Sequence, residues 1–125
     1  MKKLFAFFQG RAKSFGYAFK GIGTLFQTQT NARIHLLGIA VITLLGFVYK
    51  LNPNEWCAII ICMALVVAVE AVNTAIEFIV DLVSPEHHPL AGKAKDVAAG
   101  AVLLSVIICG VVWGIIFVPK IIAQL

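Results

Sequence analysis

The sequence predicts an all-α integral membrane protein, with three transmembrane helices behind an N-terminal amphipathic surface helix. Three observations carry that expectation. Of the 125 residues, 61% are hydrophobic and only 13% charged, against roughly a quarter charged in an ordinary soluble domain. A chain this short cannot bury such an apolar excess within itself, because small domains have little interior for their surface. The apolar residues also fall in long runs, broken by short polar segments and preceded by a basic stretch. An ordinary cytosolic enzyme, a disulfide scaffold and a disordered tail are therefore excluded. The length allows one domain, residues 1–125.

The elements follow in order. Residues 1–33 hold six basic residues and no acid. Phe8, Ala12, Phe15, Phe19, Ile22 and Phe26 recur at steps of four and three, which puts them on one helical face. Lys2, Lys13 and Lys20 fall on another side. This is the pattern of a helix lying in a membrane interface, although packing on its own chain would give the same periodicity. The first transmembrane segment is expected at 34–50, uncharged from Ile34 to Tyr49 between Arg33 and Lys50. Asn52-Pro53-Asn54 then turns the chain. Trp56 opens the second span, 56–83, as an interfacial aromatic. Ser84 to Asp96 reads as a polar loop, and 97–118 as the third span, closed by Pro119 and Lys120. Cys57, Cys62 and Cys109 lie in apolar runs without metal-ligand spacing and read as packing or lipid-facing residues.

Charge sets the expected orientation. With a cytoplasmic N-terminus, that side receives the six basic residues of 1–33 and two from the 84–96 loop, leaving Lys50 and Lys120 opposite. This satisfies the positive-inside rule. The net charge of +4 thus serves orientation and anionic headgroups, and does not point to nucleic acid.

The second span carries Glu70, Asn73, Glu77 and Asp81. At about 100° per residue all four share an arc of about 80°. Acids inside a spanning helix are costly and mark function by default. Counting from Trp56 at about 1.5 Å per residue, Glu70 lies about 21 Å in and Glu77 about 32 Å in. Across a hydrocarbon core of about 30 Å, the stripe therefore runs from the cytosol to the depth of the lipid headgroups. Polar contacts between helices would be the inert explanation. Like charges on one face require a cation nearby, either a metal or a basic side chain. The adjoining Glu86-His87-His88 and Lys93-Ala94-Lys95-Asp96 supply imidazole and lysine at the mouth of the stripe. Aligned acids also suit a proton- or ion-conducting membrane oligomer, the alternative reading.

Glu70-Ala71-Val72-Asn73-Thr74-Ala75-Ile76-Glu77, followed by Val80-Asp81, His88 and Gly92-Lys93-Ala94-Lys95-Asp96, resembles the signature of the small prokaryotic diacylglycerol kinases and undecaprenol kinases. Gly16-Tyr17-Ala18-Phe19-Lys20-Gly21 is similar to that family's N-terminal helix. His88-Pro89-Leu90 and Asn52-Pro53-Asn54-Glu55-Trp56 look more like the undecaprenol kinase branch. The resemblance implies a homotrimer in the bacterial inner membrane, with active sites between protomers, moving the γ-phosphate of MgATP to a lipid hydroxyl. It implies Glu70 as the general base at the lipid substrate, with Asn73 orienting the catalytic groups. It implies Glu77 as a ligand of the nucleotide's Mg²⁺. ATP contacts are implied for Arg11 (an approximate match), Tyr17, Glu77, Glu86, His87, His88, Lys95 and Asp96. One departure stands out. The family's second magnesium ligand is a glutamate, where this chain has Gln29, a neutral carbonyl donor that adds no charge for a hard cation. Weaker magnesium affinity is expected, or compensation by Asp81 or water.

Overall fold

Gln29 alone separates the first two helices. The computed structural model describes residues 1–124, with every side chain except those of Lys2, Lys3 and Ala6. The order is α1 (Lys2–Thr28), α2 (Thr30–Val48), α3 (Pro53–Val83) and α4 (Pro89–Ile122), so the chain is all-helical as expected. Gln29 is extended, with φ −102° and ψ 115°. Arg33, one turn into α2, reaches back: its Nε donates to the Phe26 carbonyl at 2.8 Å, and its guanidinium also bonds the Gln27 carbonyl. These bonds occupy carbonyls that the end of α1 would otherwise leave open.

Among the described residues, α1 packs on its own chain near this end, where Leu25 is buried. Phe8, Phe15, Phe19 and Ile22 remain exposed, so most of the apolar face found in the sequence is not covered by the chain itself. The side chain of Lys2, assigned to the opposite side, lies outside the described residues.

α3 begins with a reciprocal cap. Asn52 Oδ1 accepts from the Asn54 and Glu55 amides at 3.0 Å each, and Glu55 Oε2 accepts from the Asn52 amide at 2.8 Å. Pro53 follows the cap, where its missing N–H costs nothing. α4 starts well before residue 97. His88 Nδ1 accepts from the Leu90 amide at 3.2 Å, and Pro89 opens the helix. The polar segment read as a loop through Asp96 is therefore non-helical only up to His88, and Lys93, Lys95 and Asp96 are helical. A change from apolar to polar residues does not end a helix, and α4 runs through it. Pro119 likewise lies inside α4 and does not close it.

At about 1.5 Å per residue, α2, α3 and α4 are about 28, 46 and 51 Å long. All three are long and apolar enough to cross a membrane. α3 and α4 form an antiparallel hairpin, tied at one end by Lys120 to Glu55 (3.1 Å) and at the other by Lys95 to Asp81 (2.7 Å). Between these ends, Ile59 packs with Phe117 and Leu51, and Cys62 with Val66 and Cys109. The three cysteines are free, and Cys109 Sγ donates to the Cys62 carbonyl at 3.4 Å.

Candidate active site

The hairpin and α2 together hold the polar stripe. Glu70 is 1% exposed, yet neither of its carboxyl oxygens has a hydrogen-bond partner among the described residues. One turn on, Asn73 is buried and its Nδ2 donates to Glu77 Oε1 at 3.2 Å. Asn73 Oδ1 is also without a partner among the described residues. Glu70, Asn73 and Glu77 line a cavity of about 310 Å³ between α2, α3 and α4. The helical period predicted that these side chains share a face, and they do.

Asp81 stands one turn further along α3, exposed, with Lys95 bonded to it. Lys95 lies in the first turns of α4, outside the apolar stretch of that helix. The hydrogen bond it donates to Asp81 raises its pKa above the usual lysine value. Asp81, Glu86, His87, His88 and Lys95 surround a second hollow of about 220 Å³. His88 has a structural task there as well, since its Nδ1 caps α4.

The oxygen donors suit a hard divalent cation. Magnesium is held by one or two carboxylates, with substrate phosphates and water completing its shell. The Glu77 carboxylate and the unpartnered Asn73 amide oxygen match that donor set. No group of three or more His, Cys, Asp or Glu among the described residues could hold a metal alone. Phosphate oxygens would have to complete the shell.

Other predicted residues are not brought to this cavity within the chain. Arg11 lies over the Phe7 ring at 5.3 Å, and exposed Tyr17 carries the Lys20 ammonium at 6.0 Å from its ring. Gln29 sits half-buried at the α1–α2 break, outside the cavity lining. Asp96 is exposed and lines neither hollow. Two residues that the sequence reading passed over do line it. Asn31 and His35 face the cavity from α2, and His35 Nε2 is 3.9 Å from Glu70 Oε2. Their spacing of four, which stacks two polar side chains on one helical face at the start of an apolar run, was the available signal.

Residues 16–117 match the model of the family described as prokaryotic diacylglycerol kinase. The chain belongs to that family. An undecaprenol kinase of Bacillus subtilis (strain 168) is 39% identical over 108 residues, covering 86% of this chain and 88% of that one. A diacylglycerol kinase of Synechocystis sp. is 41% identical over 112 residues, 88% of this chain and 63% of its own length. The diacylglycerol kinase of Escherichia coli (strain K12) is 29% identical over 104 residues, 83% and 85% of the two chains. A member of the prokaryotic diacylglycerol kinase family is a lipid kinase, a membrane transferase with a nucleotide co-substrate. The ion-conducting alternative is not favoured. The resemblance to the undecaprenol branch noted in the sequence agrees with the Bacillus relative.

Proposed function

We propose that this kinase transfers the γ-phosphate of MgATP to the hydroxyl of a membrane lipid alcohol, undecaprenol or diacylglycerol. The reaction runs at the cytoplasmic face of the bacterial inner membrane. The observation that carries this reading is Glu70, almost fully buried, with both carboxyl oxygens unpartnered among the described residues, on a residue that lines a cavity between apolar helices. Burying an unpaired acid is costly. Such a group is suited to take a proton from a hydroxyl that arrives from the lipid side.

In the reaction, Glu70 removes the hydroxyl proton as the oxygen bonds to the γ-phosphorus, and the bond to the bridging oxygen breaks to release ADP. Glu77, with Gln29 of a neighbouring copy as the weaker partner, would hold the Mg²⁺ that accompanies the nucleotide. When bound, the ion neutralises charge on the transferring phosphoryl group. Asn73 orients Glu77 through its amide. Lys95 exchanges Asp81 for phosphate oxygens, and Asp96, Glu86, His87 and His88 contact the rest of the nucleotide. Arg11 and Tyr17 stand away from the cavity of their own chain, which supports a homotrimer whose neighbouring copies complete each site. The uncovered apolar face and basic side of α1 support a surface helix lying among anionic headgroups. The balance of eight basic residues against two supports a cytoplasmic N-terminus.

Purified protein given labelled ATP, Mg²⁺ and either undecaprenol or diacylglycerol in mixed micelles tests the reading. Label is expected in the lipid extract, with undecaprenol the first candidate on the 39% identity to the Bacillus enzyme. Glu70→Gln is expected to lower transfer by about 10²-fold or more at unchanged helix content. Transfer to neither alcohol, or near-normal transfer by Glu70→Gln, overturns the proposal.

A further inference from the structure

Three unpartnered polar atoms meet beside the cavity. Among the described residues Glu70 Oε1 and Oε2 lack hydrogen bonds, and so does His35 Nε2, an atom itself buried. The Nε2 to Oε2 separation is 3.9 Å, beyond the roughly 3.2 Å limit of a direct N–H···O bond. Buried polar groups are almost always paired, so an unpartnered imidazole nitrogen facing an unpartnered carboxylate calls for a group that bridges the two. The distance identifies its size. A single hydroxyl oxygen about 2.8 Å from both ends subtends about 90°, and because the facing atoms are closed to water it enters as the two side chains part. The chemistry identifies its type, because a hydroxyl carries one proton to give and two lone pairs to offer.

We propose that His35 is a second catalytic residue, which clamps the acceptor hydroxyl against Glu70. The inference rests on the reading of Glu70 as the base. His35 Nε2–H donates to the lipid hydroxyl oxygen, and the hydroxyl donates to Glu70. A bond to Glu70 alone leaves the hydroxyl free to spin about its O–H axis. The second bond, from His35, removes that freedom and leaves one lone pair directed at the phosphoryl group. The proton then passes to Glu70, the oxygen–phosphorus bond forms, and ADP departs with the electrons of the broken bond. His35 neither gains nor loses a proton. Its requirement is for an N–H at the Nε2 position, and glutamine offers an amide nitrogen at similar reach. Asparagine reaches only as far as Nδ1, and leucine fills the volume with no donor.

The experiment compares full-length His35→Gln, His35→Asn and His35→Leu with Glu70→Gln. It measures kcat together with KM for MgATP and for the lipid alcohol. His35→Asn and His35→Leu are expected to lose about 10²-fold in kcat, with the MgATP KM within about twofold of the parent. His35→Gln should recover to within about fivefold of the parent. Parental kcat in His35→Leu beside an inactive Glu70→Gln overturns the clamp and leaves the base assignment standing. So does equal loss in all three His35 variants with a raised MgATP KM, which would mark a packing role. An active Glu70→Gln removes the base reading itself, and the clamp with it.

Discussion

Lys95 Nζ lies 2.7 Å from Asp81 Oδ1, joining the first turns of α4 to the last turns of α3. Both side chains are substantially exposed, and pairs of that kind contribute little to stability. The lysine is held in place but not trapped, so it can exchange one anionic oxygen for another. Lys95→Met is expected to raise the KM for MgATP about tenfold or more, with little change in melting temperature. The pH dependence has a definite sign. The Asp81 bond raises the lysine pKa, so the attraction is fully present below the ordinary lysine value and is lost as pH rises through the raised one. Nucleotide KM should therefore stay flat in this respect up to about pH 9. A titration of KM in the parent and in Lys95→Met checks both statements.

Asn73 is proposed to orient Glu77 rather than to stabilise the fold. Its amide donates to Glu77 Oε1 while its own carbonyl oxygen is buried without a partner among the described residues. Removing a half-satisfied buried amide costs little stability, because the desolvation penalty of the unpaired oxygen goes with it. Asn73→Ala should therefore melt within about 1 kcal/mol of the parent while losing about 10- to 100-fold in kcat. Thermal unfolding in detergent beside initial rates separates the two quantities. A variant that loses stability and rate in parallel would contradict the assignment.

How much of this could be read in the sequence depends on the range of each interaction. The alignment of Glu70, Asn73, Glu77 and Asp81 follows from helical period alone, and the structure keeps it. Asn52-Pro53-Asn54-Glu55 was legible as a turn. That it is also a reciprocal helix cap depends only on local residues and could have been read too. The start of α4 could not be read from polarity, because Lys93, Lys95 and Asp96 are helical and polar at once. His35 was hidden for another reason. Its spacing of four from Asn31 marks a polar face at the start of an apolar run, but its meaning comes from Glu70, which lies 35 positions away in sequence and 3.9 Å away in space. The clasp of Arg33 on the Phe26 carbonyl spans only seven positions and follows from the break of the helix at Gln29.

Gly46 is required by the turn that joins α2 to α3. A Cβ there would lie 2.6 and 2.9 Å from Trp56 ring carbons and 3.2 Å from Leu51 Cδ1. The indole is rigid and the neighbouring Leu51 is buried, so neither can retreat cheaply. Gly46→Ala is expected to destabilise by about 1–3 kcal/mol. Gly38, with nothing among the described residues within 4 Å of its would-be Cβ, is the control, and Gly38→Ala should be neutral or stabilising by up to about 1 kcal/mol. Chemical or thermal unfolding of both variants in the same detergent provides the comparison.

Gln29 is where the chain departs from the ligand set its family resemblance implies. It caps the break between α1 and α2 in extended conformation, half-buried. A glutamine oxygen can approach a divalent ion but brings no charge, and magnesium discriminates strongly in favour of carboxylates. If Gln29 of a neighbouring copy shares the ion with Glu77, Gln29→Glu should lower the half-saturating Mg²⁺ concentration severalfold without altering the lipid KM. Gln29→Ala should raise it by a smaller factor, since only a neutral donor is lost. The extended backbone at this position accommodates either side chain, so neither substitution should disturb the helix break. Magnesium titrations of initial rate at fixed total ATP distinguish the cases. Identical curves for parent, Gln29→Glu and Gln29→Ala would remove Gln29 from the ion's shell and leave Glu77, Asn73 and phosphate oxygens to hold it.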